Sequence, residues 1–234
     1  MNLWNTKNKY LKLKKMKNFR EIGEEHYNDK ITHHRYDLIY PLFLESYREK
    51  KLKMLEIGLG DGEFGTGRSG ILWKDYFPDA EIFIMDIHYE FQTEDYVVYK
   101  GDQSNIDDLK SVNDKIGKVD LIIDDGSHHP RHQFISFIYL FEHMLKNDGY
   151  YIIEDIECNY WDSESEVYGY KIGFDNTIEF FKKQIEFVNS EFSGKKNKLN
   201  ISFITFAKNC IIIKKQSREE IEINKRDYRF QHFL

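Results

Sequence analysis

Short apolar runs alternate with amphipathic stretches along most of this chain. Met54 to Ile57 is a brief apolar run that stops at glycines, as a buried strand entering a turn does. Ile71 to Phe77 reads as a helix closed by Pro78. Glu81 to Ile87 and Tyr96 to Tyr99 give a second and a third strand. Ile106 to Ile116 keeps Ile106, Leu109 and Val112 on one side, which predicts a helix. Val119 to Ile123 is a fourth strand and runs straight into Asp124-Asp125-Gly126. Across His132 to Leu145, apolar residues such as Phe134, Phe137, Phe141 and Leu145 recur at helical spacing. Asn147-Asp148-Gly149 predicts a turn, and Tyr150 to Ile153 a fifth strand ending at Glu154-Asp155. Asn176 to Phe192 is again amphipathic. Ile201 to Phe206 and Cys210 to Ile213 flank Ala207-Lys208-Asn209 as a hairpin. Strands alternating with helices predict a mainly parallel sheet covered on both faces, closed by an antiparallel strand at one edge. Residues 1–48 look helical and are expected to cap the main domain, residues 49–234.

Composition narrows the function classes. With 41% apolar and 16% aromatic residues, 234 residues can bury a sizeable core. The 32% of charged residues are mixed in sign and sum to −6, so no strong field draws the chain to nucleic acid or anionic lipid. No apolar run reaches the ~18 residues of a membrane span. The first 20 residues are rich in Lys and Asn and lack the apolar centre of a signal peptide. A cytoplasmic location is therefore expected, with Cys158 and Cys210 as reduced core thiols. The basic cluster from Lys12 to Lys17 reads as a solvated helix face or chain end rather than a partner site.

In an open parallel sheet, ligands bind beyond the carboxyl ends of the strands. Glu56-Ile57-Gly58-Leu59-Gly60-Asp61-Gly62 lies at the end of the first strand. Its glycines fall two apart, unlike G-x-G-x-x-G, and no Lys-Ser/Thr follows as in a phosphate loop. Asp86, ending strand two, could accept both hydroxyls of a ribose. Asp102 and Gln103, after strand three, add polar groups near an adenine. Taken together these features favour a nucleoside ligand.

Two acidic pairs carry the candidate chemistry. Strand four ends in Asp124-Asp125-Gly126-Ser127-His128, and strand five in Glu154-Asp155. If those strands are neighbours, their carboxylates converge, and a divalent cation relieves the repulsion. Asp125, Glu154 and Asp155 are the candidate ligands of Mg²⁺. His128, on the turn, is the candidate general base. His128 and His132, four apart, could instead hold Zn²⁺ or Fe²⁺ with Asp125, which would leave Glu154 and Asp155 without a role. Asp124 and Ser127 could also cap the helix that begins near Pro130.

These residues resemble the metal-dependent O-methyltransferases that act on sugars, including the deoxysugars of macrolide antibiotics. The resemblance rests on Leu55-Glu56-Ile57-Gly58, Trp73-Lys74-Asp75-Tyr76-Phe77-Pro78, Asp124 to His128, and Tyr151-Ile152-Ile153-Glu154-Asp155 with Tyr160-Trp161. It covers about residues 24–162, and the acidic-histidine motif paired with Glu-Asp is its specific part. It implies a Rossmann-like methyltransferase fold: a mainly parallel seven-stranded sheet with an antiparallel C-terminal strand and helices on both faces. It also implies Mg²⁺ on Asp125, Glu154 and Asp155, His128 as base, and S-adenosylmethionine against Glu56, Gly58, Asp86 and Gln103. Gly60, Asp102 and Asp124 complete the expected cofactor contacts. Asp29 to His34 is similar to a segment near the cofactor's amino-acid end. The resemblance covers only part of the macrolide enzymes, and the chain is expected to lack their large N-terminal domain.

The expected acceptor is a small molecule, a nucleotide-sugar or a glycan, and a homo-oligomer is compatible with the sequence. A Lys/Asn/Ile-rich composition points to surface-glycan and polysaccharide pathways. The alternatives are a diol, a catechol-like or a phosphorylated acceptor, an NAD-dependent oxidoreductase on the same fold, or a non-catalytic nucleoside binder. Glycine spacing opposes the oxidoreductase, and the intact acidic-histidine set opposes the binder.

Overall fold

The structure is a computed structural model and describes residues 16–60 and 67–225. Most of the Lys12–Lys17 cluster, with Gly62 and Gly65, lies outside the described residues. The chain divides into two compact units. One takes residues 1–51 with Gly60–Ala80, the other Leu52–Leu59 with everything from Glu81 onward.

In the first unit, α1 (Phe19–Glu25), α2 (Asp29–Thr32), α3 (Tyr40–Leu44) and α4 (Arg68–Tyr76) are short helices. Asn18 and Glu21 close α1 with a reciprocal capping box. Such short helices have little stability of their own. They are held by buried aromatics: Phe19, Tyr36, Tyr40, Trp73 and Tyr76 are each 1% exposed or less. The Phe19 ring meets those of Tyr40, Trp73 and Tyr76 at centroid distances of 5.6, 5.6 and 4.9 Å.

The second unit is built on an eight-stranded sheet in the order β3-β4-β2-β1-β5-β6-β10-β9. Its strands are β1 (Lys53–Ile57), β2 (Glu81–Asp86), β3 (Phe91–Gln92), β4 (Tyr96–Lys100), β5 (Val119–Asp124), β6 (Leu145–Glu154), β9 (Ile201–Ala207) and β10 (Cys210–Lys215). The five central strands, β4, β2, β1, β5 and β6, run parallel, and β10 returns antiparallel to β6. This is the expected sheet with one addition: β3, two residues at the far edge, makes eight strands where seven were expected. A two-residue strand has too few positions to show a period.

Helices α5 (Ile106–Ile116), α6 (Pro130–His143) and α7 (Thr177–Val188) supply the crossovers and the cover. Leu55, Ile57, Met85, Ile122, Tyr151 and Ile153 point to one face of the sheet and share a core with Leu109, Phe137 and Phe181 of these helices. The opposite face carries Met54, Ile84, Ile123 and Ile152, all buried.

Two local expectations differ. Asn147-Asp148-Gly149 lies inside β6 as an irregularity, not before it: β5–β6 pairing jumps from Val119↔Leu145 to Leu121↔Tyr150, and Asp148 takes φ +67°. The helix expected over 176–192 ends at Val188, and a separate turn, α8 (Ser190–Ser193), follows. Among the described residues no helix is long and apolar enough to cross a membrane.

Candidate active site

Register places the site. Met85, Ile57, Asp124 and Ile153 are successive partners across β2, β1, β5 and β6. One residue further on, at the carboxyl ends, come Asp86, Gly58, Asp125 and Glu154. Four strands that stop level with one another thus deliver three carboxylates and a glycine to one edge, where such sheets bind ligands. The glycine is required. Gly58 has φ +96°, and a Cβ on it would lie 2.1 Å from the Asp125 carbonyl oxygen. Gly126 is crowded too, by a side chain: a Cβ on it would sit 2.0 Å from Gln103 Oε1.

Side-chain atoms of Asp125, His128 and Asp155 all fall within 4.8 Å of one another. His128 and Asp155 both hold left-handed backbone, at φ +56° and +50°. Non-glycine residues hold such conformations where the surrounding structure imposes them, often at functional sites. His128 Nε2 is 3.9 Å from Asp155 Oδ2, and His128 Nδ1 is buried without a hydrogen-bond partner. Asp155 Oδ1 accepts from Asn209 Nδ2 at 2.9 Å. Asn209 sits at the β9–β10 hairpin, where the sequence predicts only a turn. The two carboxylates, Asp125 and Asp155, offer oxygen donors that fit a hard divalent cation, with the His128 imidazole beside them. Glu154 is outside this trio. It is 1% exposed, on the sheet face of Glu56 and Asp86, opposite Cys210, and its carbonyl accepts from Gln133 Nε2 at 3.0 Å.

Asp124 points the other way, into the core. Its carboxylate accepts from Gln103 Nε2 at 2.9 Å, Ser136 Oγ at 2.6 Å and Tyr151 OH at 3.0 Å. Burial pushes its pKa up, against those three bonds. Gln103 spends its other end on the Ser127 N–H, at 2.6 Å. Gln103 and Asp124, expected at the cofactor, therefore brace the Gly126–Ser127 turn from beneath.

Asp86 accepts three backbone N–H bonds, from Leu59 at 3.1 Å, His88 at 2.8 Å and Tyr89 at 3.1 Å. It ties the first glycine turn to the end of β2 while staying partly exposed. Asp102 accepts from the Ser104 N–H and hydroxyl, at 2.8 and 2.7 Å. Glu56 is fully buried in β1, and Gly60 takes φ +69° with open space around its Cα.

The other histidines serve the turn. His129 caps α6 through Nδ1, which accepts from the Arg131 N–H at 3.2 Å, and its Nε2 meets the Lys171 carbonyl at 2.8 Å. His132 Nδ1 bonds Ser127 Oγ at 2.9 Å, and its ring packs on His129 and Tyr170 at 4.5 and 4.7 Å. Burial, with the charge of His129, lowers its pKa to about 4. The Zn²⁺ or Fe²⁺ set built on His132 is thus not assembled: among the described residues Asp155, not His132, joins Asp125 and His128. Cys158 and Cys210 are free buried thiols, as expected.

No protein-family model matches the chain. A Streptomyces olivaceus 8-demethyl-8-alpha-L-rhamnosyl tetracenomycin-C 2'-O-methyltransferase is 32% identical over 60% of this chain and 38% of its own length. An L-olivosyl-oleandolide 3-O-methyltransferase from Streptomyces antibioticus is 36% identical over 52% and 32%. The chain thus spans about a third of the length of the curated relatives it matches. Among solved structures, the MycE methyltransferase of the mycinamycin biosynthetic pathway, in complex with Mg, SAH and mycinamycin VI, superposes with a TM-score of 0.77. It is 25% identical, over 88% of this chain and 55% of MycE. The homologues of this chain are sugar O-methyltransferases, and its fold is the Rossmann-like methyltransferase fold.

Proposed function

We propose that this chain is an S-adenosylmethionine-dependent O-methyltransferase that methylates a sugar hydroxyl with the help of a divalent cation. The observation that carries this reading is the convergence of Asp125, His128 and Asp155 beside the Gly58 turn. Asp125, Glu154 and Asp155 would hold Mg²⁺, which supplies positive charge that lowers the cost of deprotonating a sugar hydroxyl. S-adenosylmethionine supplies an electrophilic methyl group on sulfur. His128 takes the hydroxyl proton on Nε2, and Asp155, 3.9 Å away, stabilises the resulting imidazolium. Asn209 holds the other Asp155 oxygen and so fixes that carboxylate. Asp86 anchors Leu59 and offers its exposed edge to the ribose.

The relatives act on sugars joined to an aglycone, which favours a glycoside over a nucleotide-sugar or a surface glycan. Local charge agrees. Residues 162–175, the segment that brings Tyr168 to 5.9 Å from the His128 ring, carry Asp162, Glu164, Glu166 and Asp175 against the single cation Lys171. Net negative charge in that segment disfavours a diphosphate.

Isothermal titration with S-adenosylhomocysteine and with NAD tests the reading. S-adenosylhomocysteine should bind, and NAD should not displace it. Displacement of S-adenosylhomocysteine by NAD would move the chain to the oxidoreductases.

A further inference from the structure

At the opposite end of the sheet lies a second cleft. The helix α6 ends at His143 with unpaired carbonyls, and two lysines cap them. Lys215 Nζ donates to the carbonyls of Phe141, Glu142 and Leu145, and Lys118 Nζ to that of His143. Lys215 is only 8% exposed. With Lys146, Lys198 and Arg218 they line a cleft of about 530 Å³. Leu145, Leu199 and Ile221 form its apolar wall, and Glu142 is its single acid. In a chain of net charge −6, five cations against one acid in one concavity is a strong local excess. Lys146 pairs with Asp120 at 2.9 Å. Lys118, Lys198, Lys215 and Arg218 form no ion pair with a carboxylate among the described residues; Lys118 and Lys215 face the helix-end carbonyls, which leaves Lys198 and Arg218 as the exposed cations without an ion-pair partner.

We propose that this cleft binds a phosphorylated small molecule of nucleotide size. Lys198 and Arg218, both exposed, contact the phosphates directly. Lys118 and Lys215 add charge from fixed positions behind them, and the apolar wall takes the non-phosphate part. The volume lies within the range of small-molecule sites. Burial and the neighbouring Lys118 charge lower the Lys215 pKa to about 8, a repulsion that a bound polyanion relieves. The cleft opens at Leu145, the first residue of β6, whereas the candidate active site lies past Glu154, its last. At ~3.3 Å per residue, that separates them by about 20–30 Å. The ligand is thus distinct from both the methyl donor and the acceptor.

Titration calorimetry of the full chain with inorganic pyrophosphate, and separately with ADP, tests this in the presence and absence of saturating S-adenosylhomocysteine. Pyrophosphate should bind equally well in both conditions, and ADP more tightly if the apolar wall contributes. The Lys198→Ala/Arg218→Ala double variant should weaken both at least tenfold with an unchanged circular-dichroism spectrum and melting temperature. No pyrophosphate binding, binding lost to S-adenosylhomocysteine, or equal affinity in the folded double variant would overturn the assignment.

Discussion

His128 Nε2 lies 3.9 Å from Asp155 Oδ2, and each residue reaches that position through left-handed backbone. One follows β5 and the other β6, so adjacent parallel strands bring a base and an acid together from positions 27 residues apart. If His128 is the base and not a ligand, His128→Ala should cut kcat by ~10²–10⁴-fold while metal affinity stays within a few-fold. His129→Ala, which removes a helix cap, should lower the melting temperature and leave most of kcat. Loss of metal binding in His128→Ala would instead make it a ligand.

Asn209 acts through Asp155. Its amide holds Asp155 Oδ1 at 2.9 Å, leaving Oδ2 toward His128. Partners behind a metal ligand are worth ~10–100-fold in metal affinity. Asn209→Ala should weaken Mg²⁺ binding by about that factor, read by titration of the folded protein. Affinity equal to wild type would remove Asn209 from the site.

Gly58 is confined by both backbone and neighbours. In Gly58→Ala the new Cβ would meet the Asp125 carbonyl oxygen at 2.1 Å, so the β5 end must move. Strained backbone of this kind costs ~1–3 kcal/mol, and the displaced Asp125 should lower metal affinity as well. The Gly60→Ala substitution meets nothing within 4 Å and carries only the strain of φ +69°. A smaller fall in melting temperature for Gly58→Ala than for Gly60→Ala would contradict the packing described.

How much of this was legible in the sequence follows from the range of each signal. The strand ends are visible because apolar runs stop at Gly58, Asp124 and Glu154 and break at Asp86, and registered parallel pairing does the rest. Strand alternation also separates the two aspartates of Asp124-Asp125: Asp124 shares the face of Ile122 and enters the core, while Asp125 does not. Asn209 left no local trace, because its partner lies 54 residues away. The Tyr168–Tyr170 hairpin, β7 (Glu166–Val167) with β8 (Tyr170–Lys171), is likewise too short for any periodicity.

His132 makes folding pH-dependent. Its pKa is about 4 in the folded chain, against about 6.5 when unfolded. Between those values the unfolded chain binds the extra proton, so the stability is complete above about pH 6.5 and is lost as pH falls toward 4. From pH 7 to pH 5 this amounts to about 2 kcal/mol. Urea denaturation at both pH values, on wild type and on His132→Gln, checks it. The variant should lose less stability over that interval, and an identical loss in both would contradict the prediction.

Methyl transfer itself is the most direct test. The full chain is incubated with S-adenosylmethionine and a rhamnoside of a polyketide aglycone, with Mg²⁺ or with EDTA, and the products are read by mass spectrometry. The account predicts one added methyl ether on the sugar and stoichiometric S-adenosylhomocysteine with Mg²⁺, and neither in EDTA until Mg²⁺ is restored. Sugar methylation that proceeds undiminished in EDTA would contradict it.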